Sequence, residues 1–304
     1  MPGKSGEYYS SFRASAATVL VVAALLLGGG AALAQDATSA KAPATTAAVG
    51  TAAVAGKKGT SAPATAAIEN DRDPKAMEIL MRMANYLAKA PSLRVTVLSS
   101  YDAIQADGEV IEFGDRRRFE LQRPDRLRVE VERSDGDQGG LIFDGKAITA
   151  YRAADNLYAV VEKPGTVDAV MVYVVKDLQI PVPLARMFTT TFPQQMETLV
   201  KSITYVETNR LFDVPTDHLA VRGDEVDFQI WIAQGDAPLP RRVIITYKNA
   251  PGEPQFRAML NDWSLAAVDA GRFAFAVPAG AEKVPFIVRE SSRRSAAEQK
   301  GGAK

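Results

Sequence analysis

Between Phe113 and Arg133 apolar and polar side chains alternate with a period of two, interrupted once by Arg123-Pro124-Asp125. That pattern predicts a β-hairpin with one dry and one wet face. A three-residue loop over 123–125 sets Leu121 opposite Leu127 and Phe119 opposite Val129, with Val131 extending the dry row. The same register sets Glu120 opposite Arg128, Arg118 opposite Glu130 and Arg116 opposite Glu132. Each of these wet-face pairs is of opposite sign, and such pairs contribute about 0.2–1 kcal/mol each. A slip of one residue would turn the whole apolar set into water, so the pattern specifies one register.

The hairpin sits in a longer series. Asp73-Pro74 opens a helix, since Asp caps well and Pro suits the first helical position. Ala76, Met77, Leu80, Met83, Ala84 and Leu87 then recur at helical spacing until Pro91. Short alternating segments follow: Leu93–Leu98, the hairpin, Gly140–Phe143, Lys146–Tyr151 and Leu157–Val161, with turn residues between them. From Thr166 the period changes. Val167, Val170, Met171, Val174, Val175 and Leu178 form a helical stripe capped by Thr166 and ended by Pro181 and Pro183. Two shorter helical pieces, around Leu184–Phe188 and Pro193–Val200, present Met187, Phe188, Phe192, Met196 and Leu199. Strands resume over Ile203–Glu207, His218–Arg222, Val226–Ile232, Arg242–Tyr247 and Phe256–Leu265, and Phe273-Ala274-Phe275 with Pro278 closes the sheet region. Strands on both sides of one helical insertion predict an α+β fold. Its core is a strongly curved antiparallel β-sheet, with helices covering the concave face.

Composition narrows the function. The chain has 304 residues, formal net charge +0 and no cysteine. The charge balance gives no field for nucleic acid. The missing cysteines exclude disulfides, thiolate catalysis, Cys-ligated zinc and lipid attachment at a lipobox cysteine. Lys4 and Arg13 precede an apolar run from Ala14 to Leu27, and Ala32-Leu33-Ala34 precedes Gln35. This reads as a Sec-type secretory signal over 1–34, cleaved after Ala34, which sends the chain to the periplasm. The alternative is an uncleaved anchor in the inner membrane, although the run is shorter than the ~20 residues that span a bilayer. After cleavage no stable transmembrane segment is expected. Residues 35–70 are Ala/Thr-rich and read as a disordered tether, with a domain over 71–288 and a disordered tail over 289–304.

Catalytic chemistry finds little support. The one histidine, His218, has Asp213 and Asp217 nearby but no nucleophile elbow around any serine, which leaves a hydrolase disfavoured. His and Cys are too scarce for zinc, and the acidic turns at 135–137 and 224–227 lack EF-hand spacing, so no metal and no cofactor is expected. No glycine pattern matches a nucleotide loop. In the run Arg116-Arg117-Arg118, Arg116 and Arg118 face acids across the hairpin. Arg117 is on the dry face with Phe119 and Val131, where it either snorkels out at the rim or contacts a polar group of a ligand.

Three stretches together resemble the LolA/LolB-type lipoprotein-carrier superfamily. Arg123-Pro124-Asp125 resembles its Arg-Pro turn, and Phe143-Asp144-Gly145-Lys146 running to Tyr151 resembles its DGK hairpin. Gly271-Arg272-Phe273-Ala274-Phe275 through Pro278 and Gly280 resembles its F-x-F-x-x-P-x-G ending. Within the superfamily the chain looks most like the predicted periplasmic proteins gathered as domain of unknown function 2092. The resemblance implies an unclosed half-barrel whose helical lid covers a hydrophobic cavity, with acyl chains or other lipids as ligands; the missing base and nucleophile context leads to the expectation of no enzyme activity. By match, the role of holding the lid shut falls on Arg123.

The expected cavity wall is the dry hairpin face, Phe119, Leu121, Leu127, Val129 and Val131, and the expected lid side is Met171, Val174, Met187 and Phe188. Curved sheets with helical covers enclose such sites. Two functions remain open: binding or carrying a lipid or other hydrophobic ligand, or an interaction or stress-sensing role toward an envelope protein on the same scaffold.

Overall fold

The structure, a computed structural model, describes residues 71–178, 182–211 and 213–286. The expectations for the signal, the tether and the tail lie outside the described residues.

Helix α1 (Pro74–Lys89) begins where the cap predicts. Asp73 accepts from the amides of Lys75 and Ala76, and α1 buries Ala76, Ile79, Leu80, Met83, Ala84 and Leu87. Strands β1 (Ser92–Ile104), β2 (Val110–Gln122), β3 (Arg126–Arg133), β4 (Gln138–Phe143), β5 (Ala147–Arg152) and β6 (Leu157–Glu162) form a meander. The helical insertion holds α2 (Val167–Val172), a wide turn over Tyr173–Asp177, a 3-10 turn over Ala185–Phe188, and α3 (Phe192–Leu199). A second meander follows: β7 (Ser202–Leu211), β8 (Val214–Arg222), β9 (Val226–Ala233), β10 (Pro240–Tyr247) and β11 (Gln255–Ser264). A 3-10 turn over Ala270–Phe273 leads to β12 (Glu282–Lys283).

All of these strands join one open sheet in the order β12-β6-β5-β4-β3-β2-β1-β11-β10-β9-β8-β7. β1 is central and links the two meanders through β11. The sheet does not close, because β12 and β7 stand at opposite edges. The insertion therefore carries the chain from β6, near one edge, to β7 at the other, across the concave face. α1 packs against α3, the 185–188 turn and strands β7 to β9, and one apolar cluster runs from the sheet into these helices.

The hairpin register is the one read from the sequence: Leu121↔Leu127, Phe119↔Val129, Glu120↔Arg128, Arg118↔Glu130 and Arg116↔Glu132. Three local features depart from expectation. The stripe of α2 loses Val175, which is exposed, because the backbone widens after Val172 (Leu178 N donates to Tyr173 O, 3.0 Å). Each widened turn rotates later side chains backward, so Leu178 stays buried while Val175 swings out. On the wet face Arg128 pairs with Glu130 of its own strand (2.8 Å) rather than with Glu120. Glu120 instead meets Arg272 (2.9 Å), carried there by a C-terminal strap that crosses the convex side. The strap packs Phe275 on Tyr151 and Tyr158, and ends as β12, a parallel partner of β6 that the sequence pattern does not announce.

Asp73 couples α1 to the sheet, because its Oδ2 also accepts from the Tyr205 amide of β7 (3.2 Å). The Ala76 amide, then those of Tyr205 and Lys75, hold its carboxyl below its ordinary value, against the opposing effect of burial. A depressed pKa gives stability that is present at neutral pH and is lost as pH falls through the folded value. Asp73→Ala is expected to lower the urea midpoint at pH 7, with the gap to wild type narrowing below about pH 4. A gap that stays constant with pH would contradict this.

Candidate functional site

The concave face is built in rows by strand register. One row runs Leu93↔Leu121↔Leu127↔Phe143↔Ile148↔Val161. The next runs Val95↔Phe119↔Val129↔Leu141↔Ala150↔Ala159. Both are wholly apolar across six strands. A third row, Val97↔Arg117↔Val131↔Gly139↔Arg152, introduces charge.

The two turns singled out in the sequence meet at the foot of these rows. Asp144 Oδ1 accepts from the amides of Lys146 (2.9 Å) and Ala147 (2.8 Å), closing the DGK turn. Gly145 has φ +89°, a conformation that strains any L side chain, and a Cβ there would push aside the side-chain ends of Arg126 and Asp125. The Val167 amide donates to Pro124 O (2.8 Å), fixing where α2 begins.

Arg123 reaches upward from this junction. Its Nε donates to Ala90 O at the end of α1 (3.0 Å), and its Nη2 donates to Phe188 O in the 3-10 turn (3.1 Å). Its Nη1 lies 3.5 Å from Asp168 of α2. Asp168 in turn accepts from the Thr190 amide (3.0 Å). One guanidinium, 13% exposed, thus ties three separate pieces of the helical cover to the hairpin turn. Burial pushes its pKa down, and the Asp168 charge opposes that shift.

Between sheet and cover is a cleft lined by Phe119, Leu127, Val129, Val131 and Leu141 on the sheet side, with Arg117. Met171, Val174 and Val182 line the cover side. Its free volume is about 30 Å³, roughly one water molecule's share of liquid. Of the residues expected to form the cavity, Leu121, Met187 and Phe188 lie instead in the packed core beside it, with Phe188 stacked on Phe119 at 4.5 Å between ring centroids. Leu141 and Val182 complete the lining. Strand parity in Gly140–Phe143 points Leu141 to this face, whereas Val182, between two prolines, carries no periodic signal. A larger hollow of about 420 Å³ opens on the outer side of the cover among Lys163, Asp168, Tyr173, Asp177 and Gln195. It is open to solvent and mixes charged side chains with Ala169 and Val172, so it encloses nothing.

Arg117 takes neither of its two expected positions outright. Its Nε donates to both oxygens of Asp115 (3.0 and 3.1 Å) and its Nη2 to Oδ2 (2.5 Å), with the two side chains 14% and 7% exposed. The acid two residues earlier on the same face was the signal. His218 and Asp217 point to opposite sides of β8. His218 stacks on Trp231 (4.0 Å) and meets Gln229 (3.0 Å), while Asp217 bonds Tyr205 and Gln234. Among the described residues no group of three or more His, Cys, Asp or Glu could hold a metal ion.

An open, curved sheet with an apolar concave face under helices defines an unclosed half-barrel with a lid. Residues 76–287 match the model of the family described as predicted periplasmic protein (DUF2092), and the chain belongs to that family. No curated protein matches the sequence. Among solved structures, Mycobacterium tuberculosis lipoprotein LppX is similar at 13% identity, over 65% of this chain and 99% of that one, with a TM-score of 0.43. A LolA superfamily protein from Nitrosomonas europaea is similar at 11% identity, over 66% and 97%, with a TM-score of 0.34. MucB of Pseudomonas aeruginosa, solved with MucA, is similar at 16% identity, over 66% and 61%, with a TM-score of 0.35.

Phe119 joins the sheet to the cover by ring stacking. Phe119→Ala is expected to cost about 3–5 kcal/mol in denaturant unfolding, as core Phe truncations do. A cost under about 1 kcal/mol would mean the stacked contact contributes little.

Proposed function

We propose that the protein is an exported, non-enzymatic binder or carrier of a lipid or other hydrophobic ligand, accommodated on the concave face beneath the helical cover. The observation that carries this reading is the pair of unbroken apolar rows facing the apolar sides of the covering helices. The family's description as periplasmic supports export. Among the described residues no helix is long and apolar enough to cross a membrane.

Ligand pockets commonly occupy about 300–1,000 Å³. A cleft of about 30 Å³ holds no such ligand as it stands, so this reading requires the cover to lift. Arg123 is the latch in this account. It closes the cover by hydrogen bonds to Ala90 O and Phe188 O rather than by burying more apolar surface, so it can release without unfolding the sheet. Phe119, Leu127, Val129 and Val131 form the wall, Met171 and Val174 face them, and Leu121, Met187 and Phe188 become exposed to ligand as the cover moves.

One feature favours a second reading, a module that docks an envelope protein. The projecting end of the β1–β2 ribbon exposes Val110, Ile111 and Phe113. Pull-down from envelope extracts separates the two: partner recovery that survives Phe119→Glu but fails in Phe113→Ser favours docking.

Native mass spectrometry of the purified protein is expected to show co-purifying lipid, and a protein that is empty and takes up no fluorescent fatty acid would refute the carrier reading. Arg123→Leu removes two charge-assisted hydrogen bonds. It is expected to speed release of a bound fluorescent fatty acid at least about tenfold, with a smaller loss of global stability. Equal effects on release and stability would make Arg123 a structural turn residue only.

A further inference from the structure

The charged groups at the far end of the cleft follow from the same register that builds its apolar floor. Beyond the third row comes Ser99↔Asp115↔Arg133. Arg133 pairs with Asp137, and Arg152 reaches the same Asp137 oxygen (2.9 Å). Arg133 and Asp137 are 13% and 8% exposed. On the concave side of β1 to β5, three guanidiniums (Arg117, Arg133, Arg152) thus stand against two enclosed carboxylates (Asp115, Asp137). Asp155, the further partner of Arg152, is half exposed and screened by solvent.

Two tyrosines border this belt. Burial raises the Tyr247 phenol, with the Arg117 charge opposing. Burial and then the Asp115 charge raise Tyr101, with Arg117 and Arg133 opposing. Ion pairs buried this far are costly to desolvate and seldom add stability over an apolar substitute. A belt of them on the face where every neighbouring row is apolar calls for a role other than stability.

Arg117 connects belt and cleft. Asp115 occupies its Nε and Nη2, Nη1 makes no hydrogen bond among the described residues, and the side chain lines the cleft beside Phe119 and Val131. Arg117 stands two residues along β2 from Phe119, in the row next to Phe119–Val129–Leu141, within reach of the head of a ligand chain lying on that row.

Resting on the carrier reading above, we propose that the site takes an amphiphile with an anionic head: the hydrocarbon chain lies on the apolar rows beneath the cover, and a carboxylate or phosphate head accepts from Nη1 of Arg117. The Asp115 pairing holds the guanidinium plane fixed, so that its free edge is presented to the cleft at no further ordering cost. The cationic donor edge of Arg117 that Asp115 leaves unused gives the sign of the head. The apolar rows make the chain necessary, so a free anion does not suffice.

Competition against a neutral fluorescent probe, N-phenyl-1-naphthylamine, tests this on the purified, delipidated protein. The competitors are palmitate, hexadecyl phosphate, methyl palmitate and inorganic phosphate. Palmitate and hexadecyl phosphate are expected to displace the probe about tenfold better than methyl palmitate, the usual size of one charge-assisted bond, and inorganic phosphate is expected to displace nothing. Arg117→Gln is expected to abolish that preference. Equal displacement by palmitate and its methyl ester in wild type would overturn the head assignment while leaving the carrier reading intact. Displacement by inorganic phosphate would reassign the belt to a free anion. Failure of every long-chain competitor would refute the carrier reading and this inference together. Because the wild-type comparison stands alone, the proposal stays falsifiable even if Arg117→Gln does not fold.

Discussion

The architecture follows from one constraint: an open sheet whose concave face is apolar must be covered, and the two edges of this sheet are not joined to each other. The chain meets both requirements with one segment. Leaving β6, it crosses the concave face as α2, the 185–188 turn and α3, and enters β7 at the opposite edge. A cover made this way is anchored at its ends by the sheet and in its middle only by side chains. Arg123 is the one that joins the most separate pieces, through the Ala90 and Phe188 carbonyls and the Asp168 carboxylate. The ordering of elements along the chain thus creates a cover that is held without being fused to the sheet.

Energetics separate the parts of this arrangement. The apolar rows and α1 bury many large side chains and carry most of the stability, as area burial does generally. The cover adds to this through Phe188 on Phe119 and through Met171 and Val174, yet leaves a small void at the contact. Voids forfeit contacts on both walls, so packing is less favourable there than in the fully packed core around Leu121 and Phe143. The weakest packing therefore coincides with the cleft that a ligand would fill.

Much of the sheet was legible in the sequence, and the reasons are specific. The hairpin register was fixed because apolar parity and opposite-sign wet pairs agree on one alignment. The start of α1 was fixed by Asp73-Pro74. Where reading failed, the cause was non-local or a change of period. The fate of Glu120 depended on Arg272, 152 residues away. β12 has two residues and takes its place from the strap, through hydrogen bonds to Asn156 and Tyr158. The exposure of Val175 came from a widened turn that helical periodicity does not encode. The expected cavity wall divides between the cleft and the packed core, because parity tells which face a residue is on but not what covers it: Leu121 lies in the packed core, Val129 beside the cleft.

The central claim is that hydrocarbon occupies the concave face beneath the cover. Photo-crosslinking with a palmitate analogue carrying a mid-chain diazirine, mapped by peptide mass spectrometry, tests it directly. Label is expected on β2 to β4 around Phe119, Val129 and Leu141 and on the cover around Met171–Val174. Label confined to the convex side or to the projecting end of the β1–β2 ribbon would contradict the account.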